Sequence, residues 1–278
     1  IIFIYKNMKL NFFKYRIPAF IFSFLIVLGS VFLFLKNSLN LGIDFKGGIM
    51  IEADFKETPN LIDLRNQLEG LSVGNIEIQE FGSSSNILIR IEKNSNEDDK
   101  QKELINKIQN ELPNNIDYRR IEFVGPKVGK ELQIVALKAI LFSLIAMFAY
   151  IWFRFAGWQF GLGALIALFH DVITTLGFFS LSQIEFNLAS IAAILTIAGY
   201  SINDTVVVFD RIRENINKDE KKMSDLLNLS INQTLSRTLM TSLTTLLALG
   251  ALFIFGGQVV KGFVSAMIWG VLIGTYSS

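Results

Sequence analysis

An acid and an amide stand side by side where the chain is otherwise apolar: Asn203 and Asp204, within the stretch from Leu188 to Asn215, LASIAAILTIAGYSINDTVVVFDRIREN. Read as a membrane helix over residues 188–209, that stretch puts Asp204 about 7 to 8 Å inside the cytoplasmic end, at roughly 1.5 Å of rise per residue. The Asp side chain is too short to snorkel. Keeping it ionised against lipid costs a few kcal/mol or more, so it must face protein or water. Ser201 and Thr205 flank it on one helix face. Such an acid either takes up and releases protons or is a permanently protonated packing group, and intramembrane acids are functional candidates by default.

Two other polar features share the apolar part of the chain. Arg237 opens a later apolar run, with Thr241 and Thr244 on its face at i+4 and i+7, at a depth close to that of Asp204. It can pair with Asp204, or it can be an anchor that snorkels to the interface. His170 and Asp171 lie half way along another run and form the deepest polar pair. They read equally as a proton relay and as a mutually satisfied packing pair. Asp204, Arg237 and Asn203 are therefore the candidate functional residues within the membrane part, and His170 and Asp171 a candidate relay. With no Cys and one His, the chain holds no Cys- or His-rich metal site; no cofactor is called for, and the chain does not read as an enzyme.

The elements that must position these groups follow from composition. Half the residues are hydrophobic and only 18% are charged, which excludes an ordinary soluble domain, and a net charge of +1 gives no footprint for nucleic acid. Apolar runs predict six membrane helices: 17–35, 134–153, 158–181, 188–209, 238–255 and a last run from about Gly262 that stops short, as though cut within the helix. Met8 reads as a natural start, and no acid precedes Lys36. The basic residues before the first helix, together with Arg154, Arg211, Arg213, Lys218, Lys221 and Lys222, fall on one side. The positive-inside rule then predicts both termini in the cytoplasm and residues 36–130 outside. The predicted division is 1–16 cytoplasmic, 17–35 the first helix, 36–130 the outer domain, 131–209 helices two to four, 210–237 a cytoplasmic loop with an amphipathic helix, and 238–278 the last two helices.

Within 36–130 the composition turns polar and apolar residues alternate. Strands are predicted at 49–55, 75–81, 86–92 and 117–124, helices at 60–70 and 96–112, and a turn at Gly82-Ser-Ser-Ser. The order is βαββαβ, an α+β, ferredoxin-like split βαβ pattern. Glycine-rich segments bracket it, LGIDFKGG at 41–48 and FVGPKVG at 123–129. A phosphate cradle should feed a helix N-terminus, but Gly47-Gly48 feeds a strand, so tight turns with φ > 0 where the domain meets the membrane are the expected use. Gly262, Ala266, Gly270 and Gly274, spaced by four, and Gly157 and Gly161 mark close helix approaches.

These segments together carry a resemblance. GIDFKGG at 42–48, FVGPKVG at 123–129, His170-Asp171 within ALFHDVITTLG, YSINDTVVVFDRIREN at 200–215 and Arg237 within QTLSRTLMTS are similar to motifs of the SecD/SecF protein-export family, in the resistance-nodulation-division superfamily of proton-driven transporters. The likeness runs almost end to end. It implies a SecD partner with six further membrane helices, association with the SecYEG translocon and with YajC, contact with translocating preprotein and lipid, and use of the proton-motive force for translocation. It also implies proton-transport roles for Asp204 and Arg237, and family-motif positions at the domain-membrane junction for Gly42, Asp44, Gly47, Gly48, Gly125, Pro126 and Gly129.

The physical expectation is a switch: movement that joins or separates Asp204 and Arg237 changes the proton affinity of Asp204. One proton crossing 100 mV releases about 2.3 kcal/mol, enough to bias a conformational equilibrium. Two other classes remain open. One is a half-sized exporter of lipids or small molecules, which should lack the NDTVVVFDRIREN segment; the other is a non-transporting membrane scaffold.

Overall fold

The computed structural model describes residues 10–71, 75–92, 101–113, 116–155, 157–216 and 222–278. They form two compact units, one of sheet and short helices spanning Leu41–Lys138 with Phe186–Leu188, and one made of the remaining, helical residues.

In the first unit the elements run α2 (Ile43–Lys46), β1 (Gly48–Phe55), α3 (Leu61–Glu69), β2 (Asn75–Phe81), β3 (Ser83–Glu92), α4 (Gln101–Glu111) and β4 (Ile116–Val124), following the first long helix α1 (Arg16–Asn37). The sheet order is β2-β3-β1-β4 and every neighbouring pair is antiparallel, which is the ferredoxin-like arrangement expected. Alternation builds its core. Ile49, Ile51 and Ala53 of β1 and Ile87, Ile89 and Ile91 of β3 turn one face to Leu64 and Leu68 of α3 and Ile108 of α4. Each fully buried Ile contributes about 1.5–3 kcal/mol. The opposite face is not open. Met50 and Leu88 are buried there against Ile43, so the single turn of α2 covers it.

The sequence placed a Ser-rich turn at 82–85, but Ser83 already belongs to β3, and the chain reverses at Gly82 with φ +87°. Polar side chains hide this part of the strand from an apolar-alternation reading. Ser85 Oγ donates to Asp54 Oδ1 at 3.2 Å and Asn86 Nδ2 to Glu52 Oε1 at 2.9 Å. The predicted helix at 96–112 is seen from Gln101, and residues 96–100 lie outside the described ones.

The second unit consists of long helices. After α1 come α5 (Pro126–Phe155), α6 (Trp158–Ser182), α7 (Leu188–Ile216), α8 (Met223–Phe255) and α9 (Gly257–Ser277). Among the described residues six helices are long and apolar enough to cross a membrane, as expected. α6, α7 and α9 bury more of their length than the other three long helices, whereas α1 buries only Ser30 and turns Phe20, Phe24 and Phe32 outward. Close packing follows the small residues. A Cβ at Gly177 of α6 would overlap Ser30 of α1, and one at Gly270 of α9 would overlap Cδ1 and Cγ1 of Ile197 of α7.

Two boundaries differ from the sequence reading. Among the described residues the 210–237 stretch shows no separate amphipathic helix: residues 210–216 continue α7, and α8 is one 33-residue helix from Met223. Helical hydrogen bonding simply continues beyond the apolar spans. Likewise α5 begins at Pro126 inside the second glycine-rich segment, a position where the missing N–H of proline costs nothing.

Candidate functional site

Asp204 lies on α7 and is 2% exposed, and no hydrogen bond reaches its Oδ2. Its neighbours do not serve it: Ser201 donates elsewhere, and Thr205 Oγ1 donates to the Ser201 carbonyl at 3.1 Å. Asn203, the adjacent residue and so about 100° around the helix, turns instead to an open cavity of about 380 Å³. Arg237 of α8 lines the same cavity, with Asp210 and Glu214 of α7 and Gln233 and Thr234 of α8. The cavity is roomy and polar enough for water. Arg237 makes no ion pair with Asp204 among the described residues, and Asp204 Oδ2 has no partner of any kind. The acids at the rim are already matched, Asp210 to Arg154 at 3.1 Å and Glu214 to Arg211 at 2.7 Å.

A second buried acid stands deeper in the bundle. Asp171 of α6 is fully buried and accepts at both oxygens. Its Oδ1 is 3.0 Å from His170 Nδ1, while Oδ2 receives Ser201 Oγ of α7 at 2.6 Å and Ser277 Oγ of α9 at 2.9 Å. Thr174 and Thr175 close the turn by donating to the Asp171 carbonyl. The structure thus joins His170 and Asp171 in one hydrogen-bonded cluster that ties three helices. The other imidazole nitrogen, Nε2, is buried without a partner. Sequence reasoning attached Ser201 to Asp204 and missed Ser277 altogether. No local signal marks a serine near the end of a third helix as a ligand of Asp171.

The glycine-rich segments form a third cluster, in the sheet unit. Gly47 and Gly48 have φ of +78° and +133°, and a Cβ on Gly47 would stand 2.8 Å from the Pro126 Cα. Gly129 needs no unusual φ but allows a close approach, since a Cβ there would be 2.9 Å from the Phe45 carbonyl oxygen. The two motifs therefore pack on each other. Gly42 has φ −73°, and neither it nor Gly125 has positive φ, so the expectation of φ > 0 holds at Gly47 and Gly48 only. Asp44 has a task the sequence did not suggest: its Oδ2 accepts the Leu188 N–H at 2.9 Å, at the start of α7, while Gly42 N donates to the Phe186 carbonyl at 2.9 Å. A carboxylate there satisfies a free N–H and complements the helix dipole.

Fold and site define a class: a six-helix membrane protein with acids buried inside its bundle and one separate ferredoxin-like unit. Residues 104–278 match the family described as protein export membrane protein SecD/SecF, C-terminal, and residues 32–59 match the SecD/SecF GG motif. The chain belongs to the SecD/SecF family of protein export membrane proteins. It is 47% identical over 277 residues to the protein translocase subunit SecF of Rickettsia bellii (strain OSU 85-389), covering 98% of this chain and 91% of that one. It is 44% identical over 279 residues to that of Rickettsia prowazekii (strain Madrid E), covering 99% and 89%. The crystal structure of SecDF, a translocon-associated membrane protein from Thermus thermophilus, matches with a TM-score of 0.85 at 36% identity, covering 98% of this chain. SecDF in its super-membrane-facing form matches with 0.69 at 35% identity. The chain spans 37% of the length of each SecDF chain.

Proposed function

We propose that this chain is a SecF-type subunit of a bacterial protein-export complex, in which Asp204 binds and releases the protons that drive translocation and Arg237 sets how tightly it holds them. The observation that carries the reading is Asp204 itself. A carboxyl buried to 2% exposure with an unmatched oxygen, beside a polar cavity bearing an arginine, is expensive to keep and is free to change protonation state. Asn203 and the cavity offer the proton a wet route to one end of the bundle. A SecD-type partner supplies the rest of the helices, and the assembly acts on preprotein at the SecYEG translocon, with YajC as an accessory. The segregation of basic residues puts both termini and the α7–α8 connection in the cytoplasm and the ferredoxin-like unit in the periplasm.

The test separates two energy sources. Asp204→Asn keeps the size of the side chain but cannot cycle a proton, so in inverted membrane vesicles the part of export that depends on the gradient should disappear and the ATP-driven part should persist. Arg237→Ala should behave alike, and Arg237→Lys should restore activity only in part, because a point charge does not reproduce the guanidinium fork. Full gradient-dependent export by Asp204→Asn at normal abundance would sink this reading and favour a scaffold.

A further inference from the structure

A hydrogen-bonded run in the bundle ends on a buried polar atom that lacks a partner, His170 Nε2, on a residue 9% exposed. From there His170 Nδ1 meets Asp171 Oδ1, and Asp171 Oδ2 receives Ser201 Oγ. Asp204, whose Oδ2 also lacks a partner, lies about one turn further along α7 and makes no bond to the run among the described residues. Ser201 and Asp204 are three residues apart on the buried face of α7, about 4.5 Å of rise along the helix axis. Groups used only for packing end a network satisfied, and this one ends open.

We propose that His170 and Asp171 form a second proton-binding site, linked through the Ser201 hydroxyl to Asp204. The inference rests on the reading of Asp204 as a proton carrier. A proton arriving at Nε2 of neutral His170 converts the dyad from imidazole and carboxylate to imidazolium and carboxylate, leaving it with no net charge. Its Nδ1 proton then passes to Asp171 Oδ1. The carboxyl and the Ser201 hydroxyl, which donates to Oδ2 at rest, then rotate, so that Asp171 gives this proton to Ser201 Oγ as Ser201 gives its own toward Asp204. Asp171 is left ionised, His170 neutral with its proton on Nε2, and Asp204 protonated. Few other titratable groups face the dyad. α9 brings Tyr276, with its ring centroid 6.2 Å from that of His170 and its hydroxyl donating to the Ala19 carbonyl of α1 at 2.8 Å. α5 meets α6 two residues away, at Leu168, with Ile140, Leu144 and Met147. α1 carries Arg16 and Lys36 at its two ends, and α7 brings Asp204.

The chain has a single histidine, which gives a direct readout. With the imidazole labelled with 15N and the chain assembled in lipid with unlabelled partner, solid-state NMR from pH 5 to 9 should show the resonances pass from the neutral to the imidazolium pattern. An imidazole spectrum unchanged over the whole range would overturn the proposal. In parallel, proton flux in proteoliposomes should fall at least tenfold in His170→Gln and in Ser201→Ala, the second removing only the linking hydroxyl. If Asp204→Asn abolishes flux while both of these keep it, the second site is refuted and the role of Asp204 stands. If Asp204→Asn keeps flux, the underlying reading fails instead.

Discussion

The contact of α9 with α7 lends itself to a quantitative test at Gly270. A Cβ built there would overlap Cδ1 and Cγ1 of Ile197 and stand 2.7 Å from its Cγ2, and Ile197 is 1% exposed. Gly270→Ala must therefore push Ile197 off its rotamer, which costs about 0.5–1.5 kcal/mol, with some loss of packing around it. Gly270→Leu inserts a whole side chain into a closed interface and should cost about 3 kcal/mol or more, judged from typical overpacking penalties. Ile197→Ala alone should cost about 2–5 kcal/mol through the cavity it leaves. The double variant Gly270→Ala, Ile197→Ala should be more stable than the sum of its parts, because the new methyl enters the space vacated. A coupling of about 1 kcal/mol or more in a double-mutant cycle, read by SDS titration in mixed micelles, is the expected result. Strict additivity, or a Gly270→Leu protein as stable as the wild type, would show that the helices do not meet here.

Two further outcomes bear on orientation and on the glycine-rich cluster. In this Cys-free chain, Ser84→Cys should react with an impermeant thiol reagent in intact spheroplasts while Lys222→Cys should not; the reverse pattern would invert the orientation. Asp44→Asn removes the carboxylate that receives the Leu188 N–H, and at this partly exposed position the loss should be about 1 kcal/mol. Amides in the first turn of α7 should then exchange roughly fivefold faster, and unaltered exchange would mean that the bond contributes nothing.

What could be read in the sequence was what depends on local period and on burial cost. The isoleucines of β1 and β3 alternate and declare their sheet face, and an acid such as Asp204 inside an apolar run declares itself through the expense of placing it there. Where polar residues do structural work, the pattern is silent. Ser83 and Ser85 belong to a strand without looking apolar, and residues 210–216 stay helical because hydrogen bonding along a helix does not stop where the apolar span does. The meeting of Asp171, Ser201 and Ser277 depends on how three helices rotate against one another, and nothing within any one of them encodes it. Asp44 shows the same limit, since its partner at Leu188 lies far along the chain.

On the function proposed above, Asp204 changes its protonation state as the protein works. It is tested most directly by reconstituting the chain with its partner in proteoliposomes, imposing a proton gradient and following the pH inside. Wild type should conduct protons, and Asp204→Asn, at equal reconstitution and equal recovery of the complex, should lose at least nine tenths of that flux. Undiminished flux through Asp204→Asn would contradict the account and leave Asp204 a packing residue.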